Sequence, residues 1–331
     1  MATATGPVPP RSVARRIRAS GIEAGAWLVA RLPEGATVRT AEAVGELWYR
    51  MAPARAAQAR LNLGRVCGWL VESGMASERV GRAAADPAEL ERLVRRAFRH
   101  SARYYLEVSR TPVMSGEYIR RHLVIETPEL IDEAFKQPPV IFVGLHFGAI
   151  ELPAVYLVDR SQRPAVAPME TVDDPDLQAW FMRTRGAIGL RIVGLREARR
   201  ELLAALRRGE SVGLVGDRDL TGGGIEIEFF GAPAPLPAGP GLLVMEANVP
   251  AYLMSVRRTG IGRYRGRLDR LPMPSEGSRR ERLMAYLNAE ARVFERAIAL
   301  APEQWWAIFF PIWPDLVPPA APGRGTGGSA P

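Results

Sequence analysis

The stretch Pro138–Val158, "PPVIFVGLHFGAIELPAVYLV", decides the fold. Its apolar run Val140–Leu145 does not alternate with polar residues, which marks a strand covered on both faces. The segment "AIELPAVYLV" that follows reads as a helix. Gly148 between them permits a tight strand-to-helix turn. Strand, turn and helix in that order are the repeating unit of an α/β fold.

At the junction stands His146, one of three histidines in 331 residues, and Glu151 follows five positions later. On one continuous helix five residues turn through roughly 500°, which leaves two side chains about 140° apart. The two meet if His146 lies in the loop and Glu151 opens the helix. A carboxylate on one imidazole nitrogen fixes the tautomer and stabilises the imidazolium formed on proton uptake. The other nitrogen then faces the crevice beyond the strand end, where open α/β sheets bind ligands. That is equipment for removing a proton from a hydroxyl. The motif contains no Ser or Cys, which favours direct transfer over a covalent enzyme intermediate. Taken alone, a histidine at a strand end also fits a purely structural role.

Downstream, "PAVAPM", "RIVGL", "SVGLVGD", "IEIEFFG", "AYLMSVRR" and "RYRGRLDRL" read as strands. Between them lie the helical segments "DPDLQAWFMRTRGAIG", capped by Asp174, and "REARRELLAALRRG". "PAGPGLLVMEANVP" is a turn and then a helix, and "SRRERLMAYLNAEARVFERAIALAP" is a long amphipathic helix. The pattern predicts an α/β core over 123–317, with a mixed, mostly parallel central sheet flanked by helices. Upstream, residues 13–122 read as a helical subdomain that packs on the core and faces a membrane. Its segment "DPAELERLVRRAFRHSARYYLEVSR" opens with Asp86 as N-cap and Pro87 at the first helical position. Residues 1–12 and 318–331, rich in Pro, Gly and Ala, are expected to be disordered.

The formal net charge is +8, and all the cationic side chains but Lys136 are arginines. A basic surface suits an anionic partner, either an acidic membrane face or a nucleic acid. No aromatic RNA-binding box or zinc-finger spacing is present, so no nucleic acid is expected. No apolar run is long enough to span a bilayer. "GIEAGAWLVARL" (21–32), with Ile22, Trp27, Leu28, Val29 and Leu32 on one face, is the segment expected to touch a membrane. Cys67 is the only cysteine, which excludes an intrachain disulfide, and the scattered histidines give no metal spacing. "GGG" at 222–224 lacks the context of a nucleotide loop. His100 and His122 have no chemical context comparable to that of His146.

An H-x4-D/E after an apolar strand resembles the signature of the lysophospholipid acyltransferase superfamily. "HFGAIE" (146–151) looks like the glutamate version in the lipid A late acyltransferases. The block 213–258, with "DRDL", "FFG" and "PAGP" in that order, is similar to the phosphatidylinositol mannoside acyltransferases. So are "RRAFRHSARYYLEVSR" (95–110) and "PEQWWAIFFPIWPD" (302–315). The resemblance covers about residues 20–315. It implies transfer of a long-chain acyl group from acyl-CoA or acyl carrier protein to a hydroxyl of a membrane glycolipid or phospholipid. The reaction would take place at the cytoplasmic face of the plasma membrane, without metal or redox cofactor. His146 would be the base and Glu151 its partner. The mannoside enzymes usually carry aspartate where this chain has Glu151, which leaves the acceptor open: a phosphatidylinositol mannoside, a lysophospholipid or a lipid A-type disaccharide. Thioester hydrolysis, or membrane binding without catalysis, are the other readings.

The resemblance also singles out Arg185, for a phosphate or a developing oxyanion, and Glu170, as an acidic residue lining the groove. In "GDRDL", Arg218 and Asp219 are expected to line the site, and Asp217 to hold a buried ion network. Glu226 and Glu228 alternate with Ile225 and Ile227 and should share a face. Glu228 is the one expected to reach the acceptor headgroup.

Overall fold

The computed structural model describes residues 21–317 apart from positions 22, 23, 26, 30, 173 and 221. The expectations for 1–12, 13–20 and 318–331, and for Ile22, lie outside the described residues.

Helices come first along the chain: α1 (Glu34–Met51), α2 (Pro53–Glu72), α3 (Glu78–Ala85), α4 (Pro87–Arg110) and α5 (Gly116–His122). Asp86 caps α4, accepting from the Ala88 N–H, and Pro87 takes the first position where a missing donor costs nothing. The alternating part follows: β1 (Leu123–Ile125), α6 (Pro128–Lys136), β2 (Ile141–Gly144), α7 (Glu151–Ser161), β3 (Ala165–Met169), α8 (Pro175–Gly186), β4 (Leu190–Gly194), α9 (Ala198–Arg207) and β5 (Val212–Val215). Then come β6 (Ile225–Phe229), β7 (Ala232–Leu236), α10 (Gly239–Ala247), β8 (Ala251–Gly260), β9 (Arg263–Arg270) and α11 (Arg279–Ala299).

The protein is α/β. Its seven-stranded sheet has the order β1-β9-β8-β2-β5-β3-β4 and is parallel except for the β8–β9 pair. The "IEIEFF" segment does not join this sheet. It pairs with β7 as a separate antiparallel hairpin. The prolines of β7, at 233 and 235, remove ladder donors and confine it to such an edge.

Strand β2 shows why its sequence does not alternate. Ile141 and Val143 enter the large core with Leu202, Leu243 and Phe294, and Phe142 enters the core of the opposite face with Leu157 and Leu268. Helices α6 and α7 cover one face of the sheet, and α9, α10 and α11 the other. The helical layer is fastened to the sheet by a buried ion pair, in which Arg258 on β8 donates to Glu107 on α4 at 2.6 and 2.7 Å. Helix α2 fastens the C-terminal segment: Asn62 donates to the carbonyls of Ile308 and Phe310, and Gln58 to that of Leu316.

Candidate active site

Strands β2, β5 and β3 are adjacent and parallel, so their C-terminal ends lie along one edge of the sheet. His146 follows β2, Asp217 follows β5 and Glu170 follows β3. The register sharpens the match. The offset of 71 residues that pairs Ile141 with Val212 also pairs His146 with Asp217.

Asp217 is fully buried, and its carboxylate accepts three N–H groups. The His146 backbone donates at 2.9 Å, His146 Nδ1 at 2.7 Å and Trp305 Nε1 at 2.7 Å. Burial pushes this carboxyl up, but the facing imidazole and these donors outweigh burial and hold it below its usual range. An ionised Asp217 only accepts, so the proton of the neutral imidazole sits on Nδ1. Nε2 is then the basic nitrogen, and it has no hydrogen-bond partner among the described residues. The ring remains 18% exposed and packs edge-on to Trp306 at 4.5 Å.

The loop that carries His146 is held from three sides. The His146 carbonyl accepts from the Trp306 N–H, and the Gly148 N–H donates to the Gln304 carbonyl. The Ala149 N–H donates to the Val256 carbonyl. Gly148 has φ +54, and a Cβ there would lie 1.9 Å from the Val256 oxygen. Only glycine lets the turn pass that close to β8.

The expected contact between His146 and Glu151 does not form. Helix α7 begins at Glu151, which is buried and faces Arg185 on α8. Arg185 donates to it at 2.6 Å from Nη2 and at 3.1 Å from Nε, and also meets Met169 Sδ and the Tyr104 hydroxyl. Burial lowers the affinity of Arg185 for its proton, and the Glu151 charge and Tyr104 more than restore it, so the guanidinium stays charged. Arg185 gives the buried Glu151 carboxylate a full countercharge and two donors, which hold it toward α8. The partner of His146 is therefore Asp217, which holds the loop through the His146 backbone N–H and also orients the imidazole.

Arg218 stacks on Phe310, 3.8 Å from the ring centroid. Burial lowers its pKa, and the charges of Glu170 and Asp217 oppose the shift. Asp219 accepts the Gly224 N–H of its own loop at 2.8 Å. Glu228 does not reach the site. Ile227 and Phe229 take the inward face of β6, and Glu228 stands in solvent 3.6 Å from Arg292 on α11. Cys67 is buried in the core, and burial, followed by the Glu303 charge, pushes its thiol up to about 12, which removes it as a nucleophile.

Between α7 and the sheet runs an apolar cavity of about 130 Å³. Leu145, Phe147, Glu151 and Arg185 line its end nearest the histidine loop. Phe142, Leu157 and Ala165 line both this cavity and a second one of about 460 Å³ at the opposite edge of the sheet. The two thus adjoin beneath α7. Sequence reasoning missed Trp305, Trp306 and Gln304 as builders of the site. The signal available for Asp217 was that two neighbouring strand-like runs each end in a titratable residue.

A model of the bacterial lipid A biosynthesis acyltransferase family matches residues 12–310. A phosphatidylinositol mannoside acyltransferase of Mycobacterium tuberculosis (strain CDC 1551 / Oshkosh) is 30% identical over 251 residues, 73% of each chain. The enzyme of the same name from strain ATCC 25618 / H37Rv matches equally. That of Mycolicibacterium smegmatis is 28% identical over 200 residues, 59% of this chain and 60% of its own.

Proposed function

The chain belongs to the bacterial lipid A biosynthesis acyltransferase family and is an acyltransferase; on that premise we propose that it moves a long-chain acyl group from acyl-CoA or acyl carrier protein to a hydroxyl of a membrane glycolipid of the phosphatidylinositol mannoside class. The observation that carries this reading is the free Nε2 of an imidazole oriented by Asp217, beside an apolar cavity.

The acyl chain lies between α7 and the sheet, with its thioester toward His146. Nε2 takes the proton of the acceptor hydroxyl as its oxygen attacks the thioester carbonyl. Asp217 stabilises the imidazolium that forms. Arg185, charged and lining the cavity, offsets charge developing on the carbonyl oxygen. The carbon–sulfur bond breaks, and the departing thiolate takes the proton back from the imidazolium. No step is routed through a metal or a redox cofactor.

The lipid reaches the site from a membrane surface. Trp27, Leu28, Leu32, Val44, Leu47 and Met51 are all exposed, a concentration of large apolar side chains at the start of the helical layer. No helix among the described residues is long and apolar enough to cross a membrane. The reading is therefore peripheral attachment, with basic side chains meeting anionic lipid.

The test is incubation with radiolabelled acyl-CoA and a panel of acceptors: phosphatidylinositol mannosides, lysophospholipids and a lipid A-type disaccharide. Label in the mannoside supports the reading. Label in another lipid, or only in free fatty acid, overturns it.

A further inference from the structure

A further cavity, of about 470 Å³, lies where α4 crosses the end of β8 and the 300–304 segment. It shares no lining residue with the apolar cavity under α7. Arg79, Arg96, Arg99, Arg103, Arg257 and Arg258 line it, together with His100. Two carboxylates, Glu42 and Glu303, line it as well and pair with Arg103 and Arg79. From outside its walls Glu46 pairs with Arg99, Glu107 with Arg258 and Glu126 with Arg257. Arg96 has no carboxylate partner among the described residues.

Pairing does not exhaust the donors. Arg103 Nε and Arg258 Nη1 are buried without a hydrogen-bond partner, as is His100 Nδ1. The side chains of Arg103 and Arg258 are only 6% and 1% exposed. A buried charged donor left unsatisfied is costly, and each one in a native fold calls for a partner or a reason. Several guanidinium groups lining one open pocket match an oxyanion that offers acceptors in several directions. The volume suits a headgroup-sized ligand.

We propose that this cavity is a binding site for a phosphate ester. It stands directly behind the catalytic loop, because Gln304, which lines it, accepts from Gly148 and clamps the Arg258 backbone in both directions. Two sources share the required chemistry: the nucleotide phosphates of coenzyme A, and the phosphodiester of an inositol lipid. These sources rest on the acyl-transfer reading above, whereas the anion site itself does not.

Burial and the charges of Arg258, Arg103, Arg96 and Arg79 hold the His100 imidazole well below its usual value, and an anion among them raises it. His100 is thus a reporter, and with two other histidines in the chain its resonances are assignable by comparison with His100→Gln. The experiment titrates the full chain with inorganic phosphate and reads the imidazole resonances by NMR, against sodium chloride at matched ionic strength. The expected result is a saturable shift of His100 that Arg96→Glu weakens by about tenfold or more, the loss of one charge-assisted contact. No saturable shift, the same shift with chloride, or an unchanged response in Arg96→Glu overturns the proposal. Parallel titrations with 3′,5′-ADP and glycerophosphoinositol separate the sources, since tighter binding of the first places the donor in the cavity and of the second the acceptor. A phosphate shift in a protein without transfer activity would sink the function and leave the site, and the reverse outcome would sink the site alone.

Discussion

At the scale of single residues, the chemistry rests on what surrounds each carboxyl. Asp217 is buried among three N–H donors and is held ionised, whereas Glu290, also fully buried on α11, has neither oxygen bonded. Burial and then the nearby Asp217 charge raise Glu290 well above 4.5, so it is a neutral acid. Replacing Asp217 by Asn is expected to lower kcat by roughly 10²–10⁴-fold, the range for loss of an oriented base, measured on protein that keeps its circular dichroism spectrum. Glu151→Gln should instead strand the Arg185 charge and cost on the order of 3 kcal/mol in a denaturant melt. The raised Glu290 sets a pH dependence. Its folded-state pKa exceeds the unfolded one, so the native chain binds more protons between them, and the stabilisation present below about pH 4.5 is lost as pH rises. Glu295, raised to about 7 chiefly by burial, acts in the same direction. The lowered His100 acts in the opposite direction over pH 5 to 8, so the test is a difference: urea melts of Glu290→Gln should lack a component of stability that falls as pH rises, and a pH profile parallel to the parent's would refute the assignment. His146 was legible as a candidate base because a lone histidine at a strand end is conspicuous. Its partner was not, because the choice between Glu151 and Asp217 depends on a strand register that links positions 71 residues apart.

At the scale of elements, the site is a joint between two strand ends and a C-terminal segment. Trp305 and Trp306 reach Asp217 and His146 from outside the sheet, and Phe147 bridges to Trp305. Trp305→Phe keeps the packing volume and removes the Nε1–H, and it should lower the rate by roughly tenfold, the value of one hydrogen bond to a charged group. Gly148→Ala, which forces a Cβ against the Val256 carbonyl, should cost on the order of 1–3 kcal/mol and most of the activity. The neck at Phe142, Leu157 and Ala165 is expected to set how far an acyl chain extends. Ala165→Leu should shift the preference to shorter acyl-CoA substrates, read by competition between chain lengths. Caps at Asp86 and Asp174 and every strand of the sheet except the three-residue β1 were readable because their signals are local. The hairpin of β6 and β7 was only half readable. Prolines mask β7 as a strand, and period-two alternation in β6 cannot say which sheet it joins, so Glu228 was expected in a site that it does not approach.

At the scale of the whole molecule, an exposed apolar face, an apolar cavity at the sheet edge and a basic cavity behind the His146 loop fit the proposal of an enzyme that meets lipid from one side. Replacing Trp27 and Leu28 together by Asp should reduce sedimentation with anionic vesicles and raise KM for a lipid acceptor, with kcat on a detergent-solubilised acceptor unchanged. The α/β class was legible because strand and helix patterns alternate after Leu123. The cavities were not, since each is assembled from segments more than a hundred residues apart in the chain. The central claim is that the Nε2 of His146 removes the acceptor's proton. It is tested most directly by the single-turnover rate of acyl transfer to a phosphatidylinositol mannoside in folded His146→Ala. Loss of nearly all transfer, with acyl-CoA still bound, is the expected result. Transfer at the parent rate would contradict it.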